Sequence, residues 1–291
     1  MDLEIFLQTI VNGLLTGSIY SMVAIGLTLI YGVMIIMNFA HGEFLMLGMY
    51  IAFWLFTLFG MDPYVSIPIV AIIVFGLGAL IQTGLIQRVL NAHPLNQIIL
   101  LLGVSTLMMG LVQFFWTAEP KVIRVPYETA VFTLGEIRFS IPRTVAFFFA
   151  MFSSLLLYLF LQKTRTGTAI RAVSQSRAGA LLMGINDKAI YRITFGLGTA
   201  VTAIAGVLLT PNYRMIPTVG QPYGVTAFVV VVLGTMGNFI GAFIGGLIIG
   251  VVEAFAGFFL GGDVKIVASM VVFILILIFK PSGLFGAKKG I

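Results

Sequence analysis

The stretch from Ser21 to Phe59 reads SMVAIGLTLIYGVMIIMNFAHGEFLMLGMYIAFWLFTLF. Two long apolar runs flank one short polar insertion, MNFAHGEF at Met37–Phe44. A membrane-spanning helix needs about 20 mostly apolar residues, so the two runs predict consecutive transmembrane helices. The insertion places an Asn, a His, a Gly and a Glu in sequence that is otherwise suited to lipid.

The composition extends this pattern to the whole chain. Of 291 residues, 60% are hydrophobic and only 9% are charged, whereas soluble domains carry about 25% charged residues. The charges are too few to coat a globule of this size, so apolar side chains must face lipid. The sequence predicts an all-α polytopic membrane protein, one transmembrane domain over residues 1–291, in the cell (inner or plasma) membrane.

Nine apolar segments qualify as membrane spans, one of them short, and we expect eight or nine transmembrane helices. The predicted spans are residues 5–30, 42–59, 64–88, 95–116, 144–162, 191–210, 222–236, 238–260 and 264–280. The acidic start of the chain lacks the basic region of a cleavable signal, so we expect the first span to be retained.

Basic residues predict the orientation. The connection 162–192 carries six Lys or Arg residues against one acid, Asp187, which predicts a cytoplasmic loop. Lys280, Lys288 and Lys289 predict a cytoplasmic C-terminus, whereas the mixed-charge connection 117–143 alternates with the basic loop and is expected outside. The net charge of +6 therefore reflects orientation in the bilayer, and nucleic-acid binding is not expected.

Glycine is the second organising feature, with 33 residues. Three pairs have the four-residue spacing that lets helix backbones approach closely in lipid, namely Gly13/Gly17, Gly241/Gly245 and Gly246/Gly250. Gly234, Gly237 and Asn238 are poor helix residues and predict a break or tight turn at the cytoplasmic side.

Enzymatic chemistry finds little support. Neither Gly-x-x-x-x-Gly-Lys-Ser/Thr nor a Gly-x-Gly-x-x-Gly motif after a strand occurs. Zero cysteines exclude thiolate chemistry. His41 and Glu43 lie two residues apart and would point in different directions on a helix, with no third ligand evident, so no metal site is predicted. A His–Glu acid–base pair without a nucleophile is no better supported.

Two interpretations of Met37–Phe44 remain. It either connects two spans at the cytoplasmic surface, or breaks a helix inside the membrane and lines a cavity, where irregular backbone must face protein or water. Asn12, Thr16 and Tyr20 fall on one face of the first span, which favours a helix facing the protein interior, although these side chains could equally bond within the helix.

The cytoplasmic connection contains a candidate amphipathic helix. A turn at Thr166–Thr168 is expected, followed by one helical stretch with an apolar stripe that includes Ile170 and Leu181, and Gly184 is its expected C-cap. Such a helix either lies on lipid headgroups or docks in a groove of a partner protein.

Taken together, these segments resemble the LivH-type permease subunits of branched-chain amino acid ABC importers. The resemblance covers nearly the whole chain, and its strongest parts are residues 12–50, 166–186 and 225–253. The element NFAHGE, which follows GLTLIYG, is the most specific of them.

The resemblance implies a mechanism and a set of partners. A homologous second permease (LivM-like) or a second copy would complete the translocation path, and an extracytoplasmic binding protein would deliver the substrate. Two cytoplasmic ATPases would bind ATP and Mg²⁺ and dock on the coupling helix, leaving this chain without a cofactor and without enzymatic activity.

Candidate residues follow from the resemblance and from the pattern. The Glu-Ala-Ala of the general coupling motif is absent, since the chain reads Ser-Arg-Ala-Gly-Ala at residues 176–180. The coupling candidates are Arg171, Ser176, Arg177, Ala178, Gly184, Ile185 and Asn186. The pathway or helix-break candidates are Asn12, Thr16, Asn38, His41, Gly42 and Glu43. Arg124, Arg138, Arg143 and Arg214 are candidates for docking the binding protein, or are ordinary interfacial charges.

Two alternatives stay open. A self-sufficient secondary transporter or channel would need a coupling device such as broken helices in inverted repeats, and no clear inverted repeat is visible. A membrane-embedded enzyme would need a nucleophile, a base and an orienting group, and no such constellation is recognisable.

Overall fold

A computed structural model describes residues 3–280 and 282–286, and it is built almost entirely of helices. Up to the long connection, the helices are α1 (Leu3–Met34), α2 (His41–Phe59), α3 (Pro63–Ile81), a π-helical turn (Gln82–Ile86), α4 (Gln87–Val89) and α5 (Pro94–Trp116). After it come α6 (Ile141–Lys163), α7 (Arg165–Gln175), α8 (Arg177–Leu182), α9 (Asp187–Leu209), α10 (Gly220–Leu233), α11 (Phe239–Leu260), a 3-10 turn (Gly262–Val264) and α12 (Lys265–Phe279).

The prediction of an all-α polytopic membrane protein is confirmed. Within the described residues, seven helices are long and apolar enough to cross a bilayer, counting Pro63–Val89 as one span. The remaining two predicted spans form the shorter apolar helices Gly220–Leu233 and Lys265–Phe279. At 1.5 Å per residue, the 14-residue α10 is about 21 Å long and cannot cross a 30 Å hydrocarbon layer alone.

The connections between helices collect at two opposite faces. We call the end with residues 60–62, 117–140 and 210–219 the hairpin face, and the end with residues 88–93, 163–186, 234–238 and 280–286 the basic face. At the hairpin face, the backbones of Lys121 and Met215 pair at 2.9 Å. At the basic face, Leu284 N donates to Leu233 O at 2.8 Å. Successive connections alternate between these faces as predicted, whereas Lys288 and Lys289 lie outside the described residues.

The connection 117–143 contains a β-hairpin that the sequence analysis did not predict. Its strands β1 (Val131–Leu134) and β2 (Ile137–Ser140) pair antiparallel, and Gly135 has the positive φ of 64° that two-residue hairpin turns require. Gln8 of α1 pairs with the backbone of Arg138 at 2.8 and 2.9 Å. The hairpin therefore rests against the start of α1.

A second contact fixes the same connection to α3. The Tyr127 hydroxyl donates to Asp62 Oδ2 at 2.7 Å, while Asp62 Oδ1 caps α3 by accepting from Tyr64 N at 2.9 Å. Burial, and then the hydrogen bond to Asp62, raises the pKa of Tyr127 above its ordinary value. The phenol therefore remains a donor at neutral pH.

Helix α1 is the centre of the molecule and packs antiparallel against α11. Gly13 and Gly17 of α1 face Gly246 and Gly250 of α11, and a methyl group at any of the four would overlap backbone atoms of the facing helix. The predicted helix-packing role is therefore confirmed for Gly13/Gly17 and Gly246/Gly250, which face each other across the contact between α1 and α11.

The break predicted near residue 234 is also confirmed. α10 ends at Leu233 with Gly234 as its C-cap, and α11 begins after Asn238, whose side chain accepts from Gly241 N at 2.9 Å. An Asn N-cap satisfies a backbone donor that a helix start otherwise leaves unpaired.

The amphipathic stretch between α6 and α9 differs from the prediction in two ways. The helix begins at Arg165, capped by Thr164, so the turn expected at Thr166–Thr168 is instead the first helical turn. One continuous helix was expected, but Ser176 interrupts it: its φ of −156° is extended, and its hydroxyl accepts from Gly179 N at 3.1 Å to cap α8. A serine offers the backbone this alternative to helix propagation.

Candidate functional site

The polar insertion forms a helix break. α1 ends at Met34, Ile35 adopts a positive φ of 57°, and the chain is neither helix nor strand until a turn at Phe39–Ala40 leads into α2 at His41. The Asn38 side chain accepts from Ala40 N at 3.1 Å, and Asn38 O accepts from His41 N at 3.1 Å. Asn38 therefore supplies the turn that starts α2, which is the role its residue type favours.

The start of α2 lies among the other helices rather than at the basic-face end of α1. His41 contacts Val23, which precedes the end of α1 by eleven residues, or about 16 Å along the axis. It also contacts Thr202, well inside the 23-residue α9. Segment 35–40 thus turns back from the basic face, and α2 begins between α1 and α9. This geometry favours the interpretation of Met37–Phe44 as a helix break beside a cavity, and the depth of the break in the bilayer stays a prediction.

His41 joins three helices in a fully buried position. Its Nε2 lies 3.0 Å from Val23 O of α1 and 2.7 Å from Thr202 Oγ1 of α9, and the side chain is 0% exposed. The Thr202 hydroxyl donates to Gly198 O at 3.0 Å, so its oxygen is free to accept from His41. The arrangement fits a neutral imidazole with the proton on Nε2, which stabilises the break.

Glu43, two residues later, has a different environment. Its Oε1 accepts from Ser105 Oγ of α5 at 3.0 Å, whereas Oε2 is buried without a hydrogen-bond partner. The side chain lies beside a cavity on the basic-face side of the break. A buried carboxylate oxygen without a donor is costly unless a ligand or water supplies one, so Glu43 is a candidate ligand-binding group.

A second, unpredicted break mirrors the first. After α9 reaches the hairpin face, residues 210–219 return into the membrane, and α10 begins at Gly220 directly against Gly42. The carbonyl oxygen of each glycine lies where the Cβ of the other would be. The α1–α2 and α9–α10 units run in opposite directions and cross at Gly26 and Gly198. Each unit consists of a long helix, a re-entrant segment and a shorter helix, and the two units are inverted relative to each other. The sequence analysis did not detect this inverted repeat.

Two cavities lie on opposite sides of α10. The first, which we call the basic-side groove, has a volume of about 860 Å³. It is mainly apolar, with Phe39, Phe228 and Val225 among its walls, and its polar groups include Glu43 and Gln221. Of the pathway candidates, Gly42 and Glu43 line this groove. Phe44, the next residue, packs edge-on against Phe195 in the core and is 0% exposed.

We call the second the hairpin-side cavity, with a volume of about 470 Å³. It lies between α1, α6, α10, α11 and the start of α12, and is more polar than the basic-side groove. The predicted pathway residues Asn12 and Thr16 line it, together with Tyr20, Arg143, Glu253 and Lys265. The polar face of α1 therefore does face the protein interior.

The apolar residues of α7 and α8 lie in two different environments. Ile170 and Val173 of α7 are 2% and 3% exposed, and Ser174 Oγ donates to Gly32 O at 2.5 Å, so α7 is packed beneath the end of α1. In contrast, Leu182 and Met183 at the end of α8 are 88% and 82% exposed on the basic face. The α7 part of the expected apolar stripe is therefore buried against the protein, and the α8 part is exposed.

Most polar coupling candidates make contacts within the chain. Arg177 Nε donates to Asp187 Oδ2 at 2.8 Å and Nη1 to Asn91 Oδ1 at 3.2 Å, and Arg171 Nη1 donates to Gln162 Oε1 at 2.9 Å. Asn186 caps α9 by accepting from Ala189 N at 3.2 Å, as Ser176 caps α8.

The other three coupling candidates lie around the end of α8. Ala178 and Gly184 are exposed, and Ile185 is half-buried. Gly184 has a φ of 77°, and its N–H and that of Ile185 bond to Leu181 O and Ala180 O, each at 3.0 Å. This is the Schellman geometry expected of a glycine at a helix C-terminus.

The four arginines predicted to dock a binding protein divide into two groups. Arg124, Arg138 and Arg214 are exposed at the hairpin face. Arg143 is only half-buried there and lines the hairpin-side cavity. Three further site residues were missed by sequence reasoning: Ser105, Thr202 and Gly220. Only Gly220 offered a signal, because it begins the glycine-spaced segment Gly-Gln-Pro-Tyr-Gly.

Within the described residues, no three His, Asp or Glu side chains lie close enough together to hold a metal ion. What the fold presents is a multi-pass membrane protein with two helix breaks that meet at mid-membrane and a cavity on either side. This is the class of membrane transport proteins, in which irregular backbone lines a cavity.

Comparison with known proteins places the chain within this class. Residues 9–280 match the model of the family described as branched-chain amino acid transport system, permease component, and the chain belongs to that family. It is 34% identical over 298 residues to the high-affinity branched-chain amino acid transport permease protein BraD of Pseudomonas aeruginosa, covering 98% of this chain and 97% of BraD.

Other relatives show the same full-length similarity. LivH of Escherichia coli K12, a high-affinity branched-chain amino acid transport permease, is 33% identical over 297 residues, covering 98% of this chain and 96% of LivH. A probable branched-chain amino acid permease LivH of Methanocaldococcus jannaschii is 27% identical over 293 residues, covering 94% and 91%. No solved structure matches the chain.

Proposed function

We propose that this chain is the transmembrane permease subunit of an ABC importer that moves branched-chain or related amino acids into the cell. The observation that carries the proposal is the exposed apolar end of α8, Leu181–Met183, on a helix pair whose other half is packed under α1. An apolar surface projecting from a basic face is typical of a protein-docking site.

The partner that docks there is a pair of cytoplasmic ATPases. ATP and Mg²⁺ bind on those subunits, since this sequence carries no phosphate-binding loop. Movement of the ATPases would be transmitted through α7, whose Ser174 bonds to Gly32, to the end of α1 and so to the break at 35–40. This would be a rigid-body switch between two states.

The substrate path runs through the basic-side groove and is completed by a homologous permease subunit or a second copy of this chain. Apolar walls suit the side chains of Leu, Ile and Val, and Glu43 with its unpartnered Oε2 supplies a polar contact near mid-membrane. A path with few fixed charges binds no substrate so tightly that release becomes slow.

Charge supports the orientation. The basic face carries the six bases of segment 162–192 and is assigned to the cytoplasm, with the C-terminus on the same side. The hairpin face is then extracytoplasmic, and the exposed Arg124, Arg138 and Arg214 are positioned to pair with carboxylates of a substrate-binding protein.

One observation favours a second candidate, a self-sufficient secondary transporter. Helices that break at mid-membrane beside an acidic side chain, as α2 does at Glu43, are typical of ion-coupled transporters. Such a protein would take up substrate in liposomes from an ion gradient without any partner.

The deciding experiment is affinity purification of the tagged chain from its own membranes. Wild type is expected to retain ATPase subunits, and Leu182→Glu to lose them because a charge replaces an exposed apolar contact. Leu134→Glu, equally apolar and 71% exposed but on the hairpin face, is expected to retain them. Ion-driven uptake by the purified chain alone would refute the proposal and establish the secondary transporter.

A further inference from the structure

The hairpin-side cavity holds charges of both signs that do not pair with one another. Glu253 of α11 is 4% exposed and faces it, while Arg143 and Lys265 line the same cavity. The Lys265 side chain lies over Gly257, one helical turn beyond Glu253. The only ion pair among the described side chains joins Arg177 to Asp187, and it lies at the basic face, away from this cavity. The cavity charges are therefore available to a ligand.

Glu253 is held in place by two hydroxyl groups. Tyr20 Oη donates to its Oε2 at 2.6 Å, and Ser269 Oγ donates to its Oε1 at 2.5 Å. Each carboxylate oxygen retains a further lone pair, and no N–H group of the described residues donates to either. A carboxylate that is fixed by neutral donors but lacks a counter-cation is complementary to an added ammonium group.

Aromatic rings flank this carboxylate. The Tyr20 and Tyr223 rings lie 5.8 Å apart at 57° beside it, and the faces of such rings favour a bound cation. The remaining wall contains apolar groups, including Ala254, Phe258 and Ile266. A volume of about 470 Å³ falls within the range of about 300–1,000 Å³ typical of small-ligand sites.

We propose that the hairpin-side cavity is a binding site for a zwitterionic α-amino acid. Glu253 accepts hydrogen bonds from the ammonium group, Arg143 and Lys265 donate to the carboxylate, and the substrate side chain contacts the apolar wall. This inference rests on the proposed function, and it adds a site at which the subunit itself recognises the two charges of its substrate before the basic-side groove.

The competing explanation is purely structural: Glu253 only ties α11 to α1 and α12 through Tyr20 and Ser269. The two explanations differ in what neutralisation does. Glu253→Gln keeps an oxygen that accepts from one hydroxyl but removes the negative charge. Arg143→Gln removes a charge that α6 contributes to the cavity wall and changes neither of the hydroxyl contacts.

The test is saturation-transfer difference NMR on the complete importer complex in nanodiscs, without the binding protein. The probes are leucine, isocaproate (leucine without its ammonium group) and isoamylamine (leucine without its carboxylate). Wild type is expected to bind leucine best. Glu253→Gln is expected to weaken leucine binding by about tenfold or more, and to leave isocaproate unchanged, because a charge-assisted hydrogen bond is lost.

Arg143→Gln is expected to weaken leucine similarly and leave isoamylamine unchanged, which keeps the proposal falsifiable if Glu253→Gln does not fold. Lys121→Gln, which removes one positive charge from the same face outside the cavity, is the matched control and should bind like wild type. Equal leucine binding in wild type and Arg143→Gln, or isocaproate binding as well as leucine in wild type, would overturn the proposal. Failure of the proposed function has a separate sign: the wild-type complex would not carry leucine into liposomes when ATP is supplied.

Discussion

Two neighbouring polar residues of the same insertion perform opposite tasks. His41 is enclosed by α1 and α9 and bonds to both, so it stabilises the break. Glu43 points to a cavity and keeps one oxygen unpartnered. The difference follows from helix geometry, because residues two apart on a helix face different sides. Substitutions at the two positions should therefore separate stability from transport.

His41→Ala is expected to destabilise the protein by about 3 kcal/mol. The substitution leaves a cavity in a fully packed position and removes the hydrogen bond to Val23 O, and the two losses together are of this order. Thermal unfolding in detergent, followed by tryptophan fluorescence, measures the change. An unfolding temperature equal to that of wild type would show that His41 does not brace the break.

Glu43→Gln is expected to leave the unfolding temperature nearly unchanged, because the amide oxygen can still accept from Ser105. Transport should fall by about tenfold, since the substitution removes the negative charge from the carboxylate whose Oε2 has no hydrogen-bond partner and would bind the substrate. ATP-driven uptake into liposomes by the complete complex provides the measurement. Wild-type uptake together with lowered stability would assign Glu43 a bracing role instead.

At the scale of elements, the meeting of two short helices organises both cavities. α2 and α10 start where Gly42 and Gly220 touch, and α10 separates the hairpin-side cavity from the basic-side groove. Because neither position has room for a methyl group, the approach of the two helix starts depends on glycine at both.

Gly42→Ala is therefore expected to push the two helix starts apart and destabilise the protein by about 2 kcal/mol, the cost of overpacking a tight contact. The matched control is Gly76→Ala in α3, whose added methyl would have no neighbour within 4 Å and should be neutral or slightly stabilising. Unfolding temperatures of the two variants make the comparison. Equal values would mean that the two helix starts can separate without cost.

The end of α8 yields a prediction on coupling. The positive φ of 77° at Gly184 strains any residue with a Cβ by about 1–2 kcal/mol. No neighbour lies within 4 Å of an added Cβ, however, so Gly184→Trp should still fold and insert. The indole would project beside Leu182 and Met183 and obstruct the docking surface. Substrate-stimulated ATPase activity of the complex is expected to be lost.

Gly184→Asn is the matched control for that variant, because asparagine tolerates a positive φ better than other residues and is small. It should retain most of the stimulation. If Gly184→Trp were stimulated as strongly as wild type, the end of α8 would not be the docking site.

At the scale of the whole molecule, the sequence predicted where helices lie along the chain better than how far each one reaches into the membrane. Apolar runs located the spans because a segment in lipid must satisfy its backbone hydrogen bonds internally, which a helix of apolar residues does. Gly234 and Asn238 marked their break by local conformational preference. Segment 210–219 was predicted only as the connection between the spans 191–210 and 222–236, because its return between the helices depends on the contact of Gly220 with Gly42, far away in sequence. Glu253 was visible as an acid, but its cavity is formed where five helices meet, which the sequence does not show.

Orientation is the last property of the whole molecule that can be tested, and the chain suits the experiment because it contains no cysteine. Leu134→Cys and Met183→Cys place one thiol each at exposed positions, 71% and 82% accessible, on the hairpin face and the basic face respectively. The excess of Lys and Arg on the basic face predicts that it is cytoplasmic. A membrane-impermeant maleimide should then label Leu134→Cys in intact spheroplasts and leave Met183→Cys unlabelled, with the opposite result in inverted vesicles. Labelling of Met183→Cys in intact spheroplasts would place α8 outside the cell and exclude its docking to a cytoplasmic ATPase.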